Sequence, residues 1–416
     1  MAKGVAIGER GESVDPAVMT EARKASAPRR LKLCRVVTIA WTWQTQLMEQ
    51  LRCISRHEID LTLVSSPGPE LDAAALQVCA RGVGIAMKRK PSPLADLWSL
   101  FRLTCFFRRN RFDIVHSLNP KAGLLTAVAG RLAGVPVRLH TYTEQPWVEL
   151  SGLRRRIPRE CDRLTAMAAT RCYADSRSQR DFLIQEGLVA AVKIGVIGHG
   201  SLSGVELARF SPEAFSGGGA RATRREQGIP DEALVVIFVG RVTKDKGILE
   251  LSAAFEILGK RNENLHLVLV GPFEPERDPL PPDTEARLKS NRRIHLVGFT
   301  TVPEKYLAAA DIFCLPSYRE GFGGVVIEAS AMGLPAVVTR ITGLVDTVVE
   351  GETGIIVPPK DVDGLVEALQ LLVDSPAKRR ALGEAGRRRA IEKFDARNVT
   401  EAVVAEYFRL IAMDCK

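Results

Sequence analysis

The residues best suited to chemistry lie between Leu315 and Pro335, in a stretch that reads Leu-Pro-Ser-Tyr-Arg-Glu-Gly-Phe-Gly-Gly-Val-Val-Ile-Glu-Ala-Ser-Ala-Met-Gly-Leu-Pro. Two carboxylates, Glu320 and Glu328, bracket a loop rich in glycine: Gly321, Gly323 and Gly324. A glycine loop feeding a helix N-terminus presents unpaired N–H groups and the positive end of the helix dipole, which favours a phosphate. Glutamates accept hydrogen bonds from hydroxyls. Phosphate plus polyol suggests a nucleotide sugar. The same residues also fit a plain strand–loop–helix unit with solvated glutamates.

The surrounding pattern says what must position these groups. Asp311 to Leu315 reads as a buried strand, Pro316 to Gly324 as turn, and Val325 to Met332 as a helix stopped by Gly333, with Pro335 just beyond. Upstream, Leu234 to Gly240 is the near-continuous apolar run of a buried parallel strand. It leads through Arg241-Val-Thr-Lys-Asp-Lys246-Gly247 into a helix from Ile248 to Lys260. Strand and helix patterns alternate along the whole chain, which argues for the α/β class with parallel sheets in both halves.

A chain of 416 residues is too long for one ordinary domain. Residues 1–30 read as a disordered tail and 31–210 as a first domain. The 211–230 stretch, with Gly217-Gly218-Gly219, reads as a linker, 231–395 as a second domain and 396–416 as a final helix. In the first domain, His116 and His140 fall at the carboxyl ends of strands, where open α/β sheets gather ligands; satisfied structural histidines are the other reading. Pro93 to Arg109 is helical, with Leu94, Leu97, Trp98, Phe101, Leu103, Cys105 and Phe106 apolar and Arg102, Arg108 and Arg109 basic. It reads either as a packed crossover helix or as one lying on a membrane surface.

Charge is unevenly placed. Residues 81–180 hold 19 Lys/Arg against 7 Asp/Glu, net +12, and the rest of the chain is net −3. That excess fits an anionic partner, such as a membrane surface or a lipid diphosphate, or a solvated basic face. A nucleic acid is not expected, because a pI of 9.2 stands alone without a recognition motif. No run of 18 apolar residues and no apolar leader is present, so a cytoplasmic protein is expected, peripheral at the inner face of the plasma membrane. The eight cysteines and six histidines show no metal-ligand spacing, which predicts free buried thiols, no metal and no cofactor.

The second half resembles glycosyltransferase family four, retaining enzymes of the GT-B fold. The resemblance rests on Gly240-Arg241…Lys246-Gly247, the Val297-Gly298-Phe299 turn, Glu320-Gly-Phe-Gly-x4-Glu328, Gly333-x-Pro335 and Gly351-x-x-Gly354-x-x-Val357. The first half is similar to a bacterial surface-polysaccharide subgroup through Pro120-Lys-Ala-Gly123, His140-Thr141, Asp175-Ser-x-Ser-Gln-Arg180 and Gly200-Ser-x-Ser-Gly-Val205. The resemblance implies two doubly wound Rossmann-like domains facing each other across an interdomain cleft, with the last helix packed back on the first domain. It implies that Arg241 and Lys246 bind the diphosphate of a UDP-sugar, stabilising the leaving group without a metal. Glu320 then holds the sugar hydroxyls, the backbone at Phe322, Gly323 and Gly324 lies near sugar and phosphate, and Glu328 takes the ribose. Gly240 and Phe299 belong to the same donor site, Phe299 near the base, and His140 lies near the sugar. The implied acceptor is a lipid-linked or other glycan. A nucleotide-sugar epimerase, a phosphorylase or a non-catalytic sugar-binding relative are the competing readings. One departure stands out: the loop after the first strand, Thr38-Ile-Ala-Trp-Thr-Trp-Gln44, lacks the glycines of many relatives, leaving Trp41 and Trp43 as acceptor-site or core residues.

Overall fold

Two parallel sheets, each flanked by helices, organise the chain; the computed structural model describes residues 30–276 and 278–414. The tail assigned to 1–30 lies outside the described residues, Arg30 excepted. The first sheet holds β1 (Leu31–Val36), β2 (Ile59–Ser65), β3 (Arg81–Gly84), β4 (Ile114–Leu118), β5 (Val137–Tyr142), β6 (Arg171–Ala174) and β7 (Ile194–Gly195). Its order is β3-β2-β1-β4-β5-β6-β7. The second holds β8 (Leu234–Val239), β9 (Leu265–Val270), β10 (Ile294–Gly298), β11 (Ile312–Leu315), β12 (Ala336–Thr339) and β13 (Gly354–Val357), in the order β10-β9-β8-β11-β12-β13. Strand order reverses between β1 and β4 and again between β8 and β11. At such switch points the loops leaving neighbouring strands diverge and open a crevice.

The runs that read as buried strands are buried on both faces, as a parallel sheet between helix layers requires. Val235 to Phe238 are at most 1% exposed, and Ile312 to Leu315 likewise. Each such large side chain contributes about 1.5–3 kcal/mol through burial. Each domain has its own core, joined where the chain crosses over. The crossing segments run side by side: Val205 N–H donates to Phe394 carbonyl at 2.7 Å, and Ala396 N–H to Val205 carbonyl at 2.9 Å.

The final helix, Ala396–Asp414, lies against the first domain. Val403, Val404 and Tyr407 join the first core, and the Tyr407 hydroxyl meets Arg35 Nη1 at 2.8 Å and His116 Nδ1 at 2.7 Å.

The 211–230 stretch is a correction. It is folded, with helix Gly219–Glu226 tied into the second domain by Arg224, whose guanidinium donates to the carbonyls of Ala309, Asp231 and Ala233 and to Asp311. Glycine content suggested a linker, whereas Val205 and Phe210 already belong to the second core. The seven cysteines among the described residues are free thiols, but Cys79 and Cys105 are exposed, not buried.

Candidate active site

The loops leaving β8 and β11, the two strands at the second switch point, carry the predicted donor residues. After β8, Gly240 begins the turn and Gly247, at φ 71°, ends it before helix Ile248–Gly259. A Cβ on Gly247 would sit 2.0 Å from the Pro316 carbonyl oxygen, so only glycine lets this turn press on the loop after β11. That approach seats Lys246 against Glu320. Lys246, 7% exposed, places Nζ 2.6 Å from Glu320 Oε1 and 3.3 Å from the Arg319 carbonyl. Ser317 Oγ donates to the same carboxylate oxygen at 2.9 Å.

Arg241 stands between two carboxylates, Glu274 at 3.3 Å and Asp245 at 3.6 Å. Burial works to raise the Asp245 carboxyl, but the Thr243 hydroxyl and the charges of Lys246, Arg241 and Arg319 hold it below its ordinary value. The loop therefore concentrates cations whose positions are fixed by acidic partners.

Gly323, at φ 77°, caps helix Gly324–Ala331, which follows β11 beyond the carboxyl end of the sheet and begins with N–H groups that have no partner within the helix. Gly324 has no atom within 4 Å of where a Cβ would stand. The Phe322 side chain is buried against Phe394, ring centroids 5.4 Å apart, so this position offers its backbone rather than its ring. Glu328, one turn into the helix, is pushed up to about 7 by burial; the Arg209 charge pulls it down and Glu304 pushes it further up. Arg209 is held 2.7 Å from Glu304. Phe299 lies half exposed after β10, its ring 5.3 Å from that of Trp41. Trp43, by contrast, is wholly buried in the first core. The two tryptophans thus divide: one fills the core and the other stands at the surface against the second domain.

The first domain meets these loops along the carboxyl ends of its strands. A Cβ on Gly321 would lie 1.4 Å from the Thr143 carbonyl oxygen. Ser178 N–H donates to Asp346 Oδ2 at 3.0 Å, and Gly343 N–H donates to Ser178 Oγ at 2.8 Å. Arg319 reaches Glu144 and Glu149, both at 3.6 Å, and Asp245 at 3.2 Å. His140, at the end of β5, is buried with Nδ1 3.0 Å from Ser117 Oγ and its ring edge-on to Tyr142. Gly123 leaves it room, since a Cβ there would sit 2.4 Å from His140 Cε1. Burial pushes His140 down to about 3, so it is neutral and acts only as a hydrogen-bonding group. His116 is tied to Tyr407 and to Thr141 Oγ1, at 2.8 Å, and is a structural histidine.

Sequence reasoning missed Arg209, Glu304 and Arg319. Arg319 adjoins Glu320 in the chain, which was the available signal; Arg209 and Glu304 are brought to Glu328 only by folding. It also missed that Cys53, His57 and Glu401 gather with ligand atoms within 4.8 Å, because Glu401 lies far along the chain from the other two.

The profile described as "Glycosyl transferases group 1" matches residues 220–389, and "Glycosyl transferase 4-like domain" matches residues 43–200. The chain belongs to the group 1 glycosyltransferases. A capsular polysaccharide biosynthesis glycosyltransferase, CapM, from Staphylococcus aureus is 29% identical over 86% of this chain and 92% of its own length. An Escherichia coli UDP-Gal:alpha-D-GlcNAc-diphosphoundecaprenol alpha-1,3-galactosyltransferase is 27% identical over 79% of this chain and 83% of its own. The crystal structure of Anabaena HepE in complex with UDP and glucose superposes with a TM-score of 0.74 at 17% identity, covering 90% of this chain and 99% of that one. At that identity the likeness concerns the fold. The two parallel-sheet domains of this glycosyltransferase are those of the GT-B architecture.

Proposed function

We propose that the protein is a retaining, metal-independent glycosyltransferase that moves a sugar from a UDP-sugar to a lipid-linked or other glycan acceptor in bacterial surface-polysaccharide synthesis. The observation that carries this reading is the Lys246–Glu320 pair at 2.6 Å, set beside Arg241 and next to the glycine-capped helix that bears Glu328. The names of the Staphylococcus and Escherichia relatives, a capsule enzyme and a lipid-diphosphate galactosyltransferase, support the acceptor class.

In this reading the donor exchanges partners with groups already in place. Its diphosphate takes Lys246 and Arg241 and the helix N–H groups after Gly323, while the transferred sugar takes Glu320 and the ribose takes Glu328. As the C1–O bond to phosphate breaks, charge grows on the diphosphate, and fixed cations in a water-poor cleft stabilise it without reorganising. The acceptor hydroxyl attacks C1 from the same face and gives its proton to the departing phosphate oxygen. No protein carboxylate acts as nucleophile; Glu320 and Glu328 bind hydroxyls. His140, neutral, orients a sugar hydroxyl through a hydrogen bond.

A panel of nucleotide sugars tests the reading, with thermal stabilisation and slow donor hydrolysis as readouts, followed by lipid-linked acceptors with the best donor. A UDP-sugar is expected to stabilise and turn over, with the anomeric configuration kept in the product. An inverted product overturns the retaining mechanism, and no response to any nucleotide sugar overturns the donor site.

A further inference from the structure

The first domain exposes apolar surface that its core does not use. On helix Pro93–Asn110, Leu103 and Phe107 face inward, whereas Leu94, Leu97, Trp98 and Phe101 are 86%, 64%, 61% and 56% exposed. The spacing i, i+3, i+4, i+7 puts these four on one face of the helix. Trp98 and Phe101 stack on each other with ring centroids 5.5 Å apart. On helix Gly152–Ala168, Leu153 and Ile157 are also mostly exposed, one turn apart. Single exposed apolar residues are ordinary; a stripe of large ones marks an interaction face.

Basic residues border both stripes. Arg102, Arg108 and Arg109 are exposed on the first helix and Arg154 and Arg156 on the second, within the region of net +12. The two helices flank helix Pro120–Ala133 in one layer. In parallel crossovers a helix runs opposite to its strands, so the N-terminal ends of both helices lie toward the carboxyl ends of the strands. That is the end of the domain where Thr143 meets Gly321 and Ser178 meets Asp346.

We propose that this face docks on an anionic lipid bilayer. Leu94, Leu97, Trp98, Phe101, Leu153 and Ile157 enter the boundary between headgroups and acyl chains, and the arginines meet lipid phosphates. Charge selects this occupant. A second copy of the chain would set one basic face against another, and like charges across an interface oppose association. Docking in this way turns the cleft end of the first domain toward the membrane surface, where a lipid-linked acceptor would enter; this orientation, unlike the docking, rests on the transferase reading of the cleft.

The full-length protein is sedimented with vesicles of phosphatidylcholine, alone or mixed with phosphatidylglycerol, at low and high salt. Binding is expected only with phosphatidylglycerol and is lost at high salt. Arg154→Gln and Arg156→Gln are each expected to lower it about fivefold, the equivalent of about 1 kcal/mol per charge near the surface. Brominated acyl chains should quench the protein's fluorescence, and Trp98→Phe should remove that quenching. Leu97→Gln with Trp98→Gln should abolish binding and leave sugar transfer to a soluble acceptor unchanged. The proposal is overturned by absence of binding to anionic vesicles at low salt, by unchanged binding in the double variant, or by a dimer that the double variant splits. Donor turnover measured without vesicles keeps the two readings apart, since an active protein that ignores vesicles refutes the docking face alone.

Discussion

Lys246 Nζ lies 2.6 Å from Glu320 Oε1, a contact that joins loops 74 residues apart at the switch point of the second sheet. The pair explains why the two loops must meet, and it makes each partner sensitive to loss of the other. Lys246→Ala leaves Glu320 without its cation and, in the proposed mechanism, removes a charge stabiliser. Turnover should fall by about 10²–10³, the usual effect of removing one preorganised donor. Arg241→Ala should do likewise, with circular dichroism and melting behaviour close to the parent. A variant at either position that turns over donor at the parental rate would refute the diphosphate assignment.

In the proposed donor site, Glu328 should give binding a pH dependence. Burial raises its carboxyl to about 7, so near neutrality it is partly protonated. The ionised form accepts hydroxyl hydrogen bonds better, so donor affinity should rise as pH goes from 6 to 8. Stability runs the other way. A raised carboxyl binds more protons in the folded state than in the unfolded one, so its contribution is present at low pH and lost as pH rises through about 7. Glu328→Gln should therefore bind donor weakly with a flat pH profile, and should gain stability relative to the parent above pH 7. Calorimetric titration and thermal melts at the two pH values check both signs; a parental pH slope in the variant would remove Glu328 from the site.

His140 behaves oppositely. Burial holds its imidazole at about 3, against roughly 6.5 in an unfolded chain. Its contribution to stability is complete above about 6.5 and is lost as pH falls toward 3, because only the unfolded chain takes the proton readily. His140→Gln, which keeps a hydrogen-bonding group without the titration, should flatten the acid limb of a denaturation curve between pH 6 and 4. An unchanged acid limb would mean that His140 is not buried neutral.

Much of the structure around the proposed donor site was legible because it is local. Gly323 and Gly324 announce a helix start, and the apolar runs at Leu234–Val239 and Ile312–Leu315 announce two-sided burial. Helix Gly219–Glu226 was hidden by its glycines, since Gly218 sits at φ 92° just before a helix whose stability comes from Arg224 and its partners, not from local propensity. Helix Pro93–Asn110 was open to two readings because its two faces differ: Leu103 and Phe107 pack inward while Trp98 and Phe101 face out. Pairing across the domains, as at Arg319 and Glu149, depends on how two sheets are set together, and no short-range pattern encodes that.

Gly321 and Gly324 offer a contrast within one loop. A Cβ on Gly321 would overlap the Thr143 carbonyl at 1.4 Å, across the two domains, while a Cβ on Gly324 meets nothing within 4 Å. Gly321→Ala should therefore force the domains apart and reduce transfer strongly, whereas Gly324→Ala should leave the spacing of the domains unchanged and act only on the donor bound beside it. Small-angle scattering, with the overall size of Gly321→Ala compared with the parent, checks the cause. Equal overall size in the two variants would show that the close approach of Thr143 does not set the spacing of the domains.

Arg319 ties the same loop to the first domain by charge. Its guanidinium faces Glu144 and Glu149 on one side and Asp245 on the other, and it is largely shielded from water. Asp245 in turn pairs with Arg241, so the first-domain loop is linked through one side chain to a cation of the proposed donor site. Arg319→Gln breaks this link while leaving Lys246, Arg241 and Glu320 in place. Transfer to acceptor should fall more than donor hydrolysis, because hydrolysis needs the second domain's groups and transfer needs both domains seated. A double-mutant cycle of Arg319→Gln with Glu149→Gln should give a coupling of about 0.5–3 kcal/mol in kcat/KM, as for residues sharing one charge network. Additive effects, or equal losses of transfer and hydrolysis, would show that Arg319 acts within the second domain alone.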